Sequence, residues 1–145
     1  MTVPSPPPLA AVVATVPSVA IARVKSASPY EERYGFCRAL RHDDRIVVAG
    51  TAPVWPDGEV DPDPGAQARR CLKIIGIALA ELGAELRHVI RTRMFITDPD
   101  YADAVGTAHG EAFAATRPAA TMVVVAALLD PRWKVEIEAE ALVTG

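Results

Sequence analysis

The chain has 145 residues, half of them hydrophobic and 23% charged, with a formal net charge of −3. That size and balance describe one globular domain able to bury its own core. Mild acidity without a basic cluster argues against an electrostatic nucleic-acid footprint, and two cysteines with three scattered histidines, lacking CxxC or CxxH spacing, argue against a disulfide framework and a zinc site.

Residues 1–17 are rich in Pro and Ala and read as an N-terminal extension to a domain over 18–145. Their apolar run, LAAVVATV, has no basic residue before it, since the first is Arg23, and prolines flank it on both sides. It therefore reads neither as a signal peptide nor as a membrane span, and the expected location is the cytoplasm.

SVAIARV (18–24) alternates as a first strand, and SASPYEERYG (26–35) carries the Ser, Pro and Gly punctuation of a loop. FCRALR and RIVVAG flank HDD (42–44), which predicts an antiparallel hairpin. A Pro-rich loop over 51–65 leads to a helix from Ala66 to Leu82, striped by Ala68, Leu72, Ile75, Leu79 and Leu82, with Gly83 as its cap. A strand over 88–98 follows, then a helix over 101–116 started by Asp98 or Asp100 and striped by Tyr101, Val105, Ala108 and Ala112. Arg117-Pro118 ends that helix, TMVVVAALL (121–129) is an apolar strand, and KVEIEAEALV (134–143) closes the chain. The order β-β-β-α-β-α-β-β predicts an α+β fold whose two helices cover one face of a mixed sheet. The other face then needs cover, most simply from copies of the same chain.

The last strand sets Glu136, Glu138 and Glu140 on one face, roughly 7 Å apart. Arg91 and Arg93 share a face of another strand and supply cations for cross-strand pairs. The alternative is that one glutamate lines a cleft and positions or deprotonates a water. Cys37 reads as a small buried strand residue, His109 as a flank of the second helix's apolar stripe, and Arg38 as a surface-edge residue.

Three segments taken together resemble the Rid (YjgF/RidA-like) family: SPYEERYGFCRALRHDDRIVVAGTAPV (28–54), AQARRCLKIIGIALAELGAELRHVIRTRMFITD (66–98) and RPAATMVVVAALLDPRWKVEIEAEAL (117–142). The resemblance implies a chorismate-mutase-like fold assembled as a homotrimer, with clefts between subunits and no cofactor or metal. Its founding members hydrolyse reactive enamines and imines to keto acids and ammonia. It places Phe36 at the family's tyrosine position, the backbone of Gly50 and Thr51 in the cleft, and Thr121 and Met122 beside it. Glu136 takes the place of the water-positioning acid.

The arginine that grips the substrate carboxylate stands two residues after the proline, and here that residue is Ala120. A methyl group cannot replace a bidentate, charge-assisted clamp, and such a loss costs about a hundredfold or more in rate. Ala120 therefore argues against ordinary 2-imino-acid deamination. The sequence resembles a branch lacking this arginine, in which Arg38, Arg93 or Arg117 substitutes for it or the cleft takes a less charged substrate. His109 and Glu111 are further polar candidates on the second helix. Two other readings remain: a non-catalytic trimer that binds a metabolite or partner, and a ribonuclease, which the acidic balance fits worst.

Overall fold

The computed structural model describes residues 2–5 and 20–144. Most of the Pro-rich extension and residues 18–19 of the expected first strand lie outside them, and residues 2–5 have no regular structure. In chain order the elements are β1 (Ile21–Val24), α1 (Tyr30–Tyr34), β2 (Ala39–His42), β3 (Arg45–Thr51), α2 (Pro64–Glu81), β4 (Val89–Ile96), α3 (Ala102–Phe113), β5 (Ala119–Val124) and β6 (Val135–Leu142), with single 3₁₀ turns at Leu86–His88 and Pro99–Tyr101.

The strands form one mixed sheet in the order β1-β2-β3-β6-β4-β5. Only β4 and β5 run parallel, joined by the crossover helix α3. The sequence places each residue's face by alternation. Val135, Ile137, Ala139 and Ala141 of β6 are buried, as are Thr92, Met94 and Ile96 of β4 and Ile46 and Val48 of β3. Both long helices pack on that side. The expected stripe of α2 is buried in full, and each of Ile75 and Leu79 contributes about 1.5–3 kcal/mol by leaving water. Asp63 accepts a hydrogen bond from the Ala66 N–H at 2.8 Å, so α2 starts with Pro64 at its first position, two residues earlier than periodicity suggests.

Four expectations need correction. The stretch 26–35 is not all loop, because α1 forms within it. The carboxylate of Glu31 accepts from the Ser26 N–H and hydroxyl at 2.8–3.0 Å, Tyr30 and Tyr34 stack at 5.4 Å one turn apart, and Gly35 caps the helix at φ 74°. The described residues thus form three α-helices. Second, β5 ends at Val124, short of Leu129: its partner β4 ends at Ile96, whose carbonyl accepts from the Val125 N–H, and the Thr97 N–H turns away to the Lys134 carbonyl. Leu129 is 97% exposed. Third, the buried stripe of α3 turns to Phe113, leaving Ala112 exposed. Last, Cys37 is half-buried in the link before β2, outside any strand.

The face away from the helices carries Arg45 and Val47 of β3, the three glutamates of β6, and Arg91, Arg93 and Phe95 of β4. Thr121 and Val123 of β5 extend it to the sheet edge. No helix among the described residues is long and apolar enough to cross a membrane.

Candidate functional site

Strand register distinguishes the three glutamates. Glu140 lies across from Arg91, Glu138 from Arg93 and Glu136 from Phe95. The Arg93 guanidinium donates to Glu138 at 2.9 Å and stands 3.8 Å from Glu140, while Arg45 donates to Glu140 at 2.8 Å. These part-exposed pairs are worth about 0.2–1 kcal/mol each, the scale of ordinary sheet-surface pairing. Glu136 makes no ion pair with any described residue.

What Glu136 meets instead is a backbone irregularity. The β3–β6 ladder pairs Val48 with Ala139 and Thr51 with Ile137, so Ala49 and Gly50 together face Glu138 in a bulge. A Cβ on Gly50 would stand 2.8 Å from Glu136 Oε1. Glycine is thus what lets the carboxylate lie against the strand. Arg38 closes the other side, its Nη2 donating to the carbonyls of Ala49 and Gly50 at 2.7 Å each. Its Nε is buried with no partner among the described residues. Partial burial pushes the Glu136 carboxyl above its ordinary pKa; the nearby Arg38 charge opposes that and Glu138 adds to it. Burial likewise pulls the Arg38 guanidinium down, with Glu31 and Glu136 pulling back.

Phe36 stands two residues before Arg38, 47% exposed, where α1 ends. The N–H groups of both Gly35 and Phe36 donate to the Glu31 carbonyl, at 2.9 and 3.0 Å, which fixes the exit of the chain from the helix. Thr51 is fully buried and its hydroxyl donates to the Ala49 carbonyl at 2.8 Å, so its side chain is already committed.

The β5 candidates divide between two faces. Thr121 pairs with Arg93 and shares the glutamate face, whereas Ala120 pairs with Thr92 and Met122 with Met94, on the helix side. Ala120 is exposed, and Met122 is half-buried with its Cε 3.9 Å from where Gly106 of α3 would carry a Cβ. Next to it, Thr92 Oγ1 and His109 Nε2 share a hydrogen bond of 2.8 Å, and the imidazole tilts against Phe113 at 4.6 Å. Burial draws the His109 pKa below its usual value.

Of the arginines that could replace an anchor at Ala120, Arg93 is tied to glutamates on the opposite face. Arg117 adopts φ 51° and reaches back to the Ala114 carbonyl at 3.4 Å. Arg38 alone sits against the candidate acid. Glu111 is a surface strut, bonded through both oxygens to Arg69 of α2 at 2.9 and 3.1 Å.

The structure therefore gathers Glu136, Gly50 and Arg38 into one cluster and leaves Ala120, Met122 and His109 in another. Glu136 is level with Phe95 and Val123, three positions along the sheet from Thr92 and Ala120, and β4 stands between β6 and β5. That places Glu136 and Ala120 about 14 Å apart within one copy, on opposite faces. Sequence reasoning overlooks Thr92, although a threonine alternating in phase with Met94 and Ile96 is a polar group on the buried side and needs a partner there. Among the described residues, no three His, Cys, Asp or Glu side chains converge to hold a metal ion.

Comparison with known proteins agrees with this architecture. The sequence pattern of the family described as Endoribonuclease L-PSP matches residues 25–143. A Streptomyces coelicolor protein, SCO2049, is 42% identical over 127 residues, covering 86% of this chain and 93% of its own. The crystal structure of Rv2704 from Mycobacterium tuberculosis, a member of the YjgF/YER057c/UK114 family, superposes with a TM-score of 0.79 at 41% identity, covering 86% of this chain and all of that one. YyfA of Yersinia pestis, from the Rid protein family, gives 0.74 at 27% identity over 86% of this chain and all of its own.

Proposed function

The chain belongs to the Rid (YjgF-like) family, and from that premise we propose that it is a cofactor-independent hydrolase of a small imine, enamine or related reactive carbonyl compound, working in clefts between the subunits of a homotrimer. Glu136 is the base. It supports this role because it alone of its row lacks an arginine partner, and because partial burial makes its carboxylate more basic than an exposed one.

In the proposed reaction Glu136 takes a proton from water as the water oxygen bonds to the imine carbon. The carbinolamine then collapses: its C–N bond breaks, the C=O bond forms, and nitrogen leaves as ammonia. One of the ammonia protons comes through Glu136 and one from the carbinolamine hydroxyl. The backbone N–H groups of Gly50 and Thr51 are the proposed donors to developing charge. Arg38 holds the bulge that carries them. Phe36, Thr121 and Met122 are the proposed walls.

The register supports a shared cleft. Two clusters on opposite faces cannot grip one small molecule, so a site that uses both takes one from each of two copies. The decisive experiment is Glu136→Gln assayed on a panel of 2-imino acids and uncharged imines. Turnover should fall by about a hundredfold or more while the assembly survives. Turnover that Glu136→Gln leaves intact would sink the catalytic reading and leave a binding protein.

A further inference from the structure

Thr92 and His109 form a polar pair that the mechanism above does not use. Thr92 is fully buried on the helix side of β4, and among the described residues its hydroxyl finds a side-chain partner only in His109. The crossover places the imidazole against β4, one strand in from the β5 edge. Helix α3 runs antiparallel to β5, with Gly106 against Met122. Three residues on in the helix, about 4.5 Å, and two residues back in the strand, about 6.6 Å, bring His109 over Ala120. Ala120 is in turn the β5 partner of Thr92.

Nothing larger than a methyl group projects from β5 there, and Ala120 is exposed. His109 is half-buried, and its Nδ1 has no hydrogen-bond partner among the described residues. We infer that Thr92 and His109 form a hydrogen-bonding subsite over Ala120 that takes an uncharged carbonyl, amide or hydroxyl group of the ligand in preference to a carboxylate. This rests on the cleft proposed above and names the substrate class for it.

The pair suits a neutral group in two ways. Arg117, the nearest arginine in sequence, turns back onto the Ala114 carbonyl, and Arg93 is held by glutamates on the other face, so neither guanidinium is directed here. Burial also disfavours the charged form of the imidazole. When the Thr92 hydroxyl donates to Nε2, Nδ1–H donates to the ligand; when Nε2–H donates to Thr92, Nδ1 accepts. One subsite thereby serves a carbonyl or an amide N–H.

The test compares two probes of one skeleton, 2-oxobutanamide and 2-oxobutyrate, bound to the full chain and followed by calorimetry and by the His109 ring nitrogens in NMR. The amide should bind at least tenfold more tightly than the acid and shift the Nδ1 signal. His109→Leu should remove that preference, and His109→Gln, which keeps a hydrogen-bonding group, should restore part of it. Should His109→Leu weaken the fold, the paired His109→Leu/Thr92→Val variant leaves no buried hydroxyl unpaired and carries the same expectation. Acid binding as tight as amide binding, no binding of either probe, or a preference that survives both leucine variants would overturn the inference. Glu136→Gln separates the two proposals, since it should cut turnover about a hundredfold and leave amide binding, read by the Nδ1 signal, in place.

Discussion

Glu136 faces Phe95 across the β6–β4 ladder, whereas the next two acids of the same strand face arginines. A single register position thus divides one row of like residues into two paired surface groups and one half-buried carboxylate beside a backbone bulge.

The contact between that carboxylate and Gly50 predicts an unusual substitution. Gly50→Ala adds a methyl group 2.8 Å from Glu136 Oε1. The obstacle is the far end of a flexible side chain, so the fold should survive with a Tm change of a few degrees at most. The carboxylate must move, however, and kcat/KM should fall about tenfold or more. Thermal melting and kinetics on one sample check both halves.

The raised pKa of Glu136 makes two predictions about pH. As a base, it should give kcat/KM an acid limb that falls as pH drops through a value above the ordinary 4.5. For stability, its protonated form is favoured by folding, so its contribution is full below the unfolded pKa and lost as pH rises through the folded one. Glu136→Gln should therefore be more stable than the parent at neutral pH and lose that advantage near pH 3. Urea midpoints across the range measure it; an advantage that grows toward acid would contradict the assignment.

The paired acids should behave otherwise. Arg93→Ala removes a part-exposed ion pair with Glu138 and its weaker contact to Glu140. The expected stability loss is about 0.2–1 kcal/mol, readable as a small shift in the urea midpoint that shrinks in high salt.

The order of the strands and the two long helices was legible in the sequence because alternation and helical period both report a buried face. The β6 glutamates and β4 arginines were legible as pairing partners for the same reason. Which acid stays unpaired was not, since it depends on register between strands about forty residues apart, and sequence alternation fixes a face without fixing an offset. Helix α1 was hidden because Ser, Pro and Gly also punctuate loops; what makes the helix is the Glu31 carboxylate gathering the Ser26 N–H and hydroxyl. The overlong β5 shows the converse limit. An apolar run of nine residues is paired as a strand only as far as its partner strand runs, here to Ile96.

Ala120→Arg examines the β5 side. A guanidinium there would project from the sheet edge beside His109 and give a carboxylate a bidentate partner. Hydrolysis of 2-iminobutyrate should appear or rise at least tenfold. An unchanged rate would mean that this position does not face the bound substrate.

The most direct measurement is the solution mass of the intact protein by light scattering, across a dilution series that spans the assay concentration. Because the two clusters lie about 14 Å apart on opposite faces of one copy, the account requires an assembly, and the mass should be three times the 15.4 kDa of a single chain. A mass of one chain at concentrations where turnover persists would contradict it.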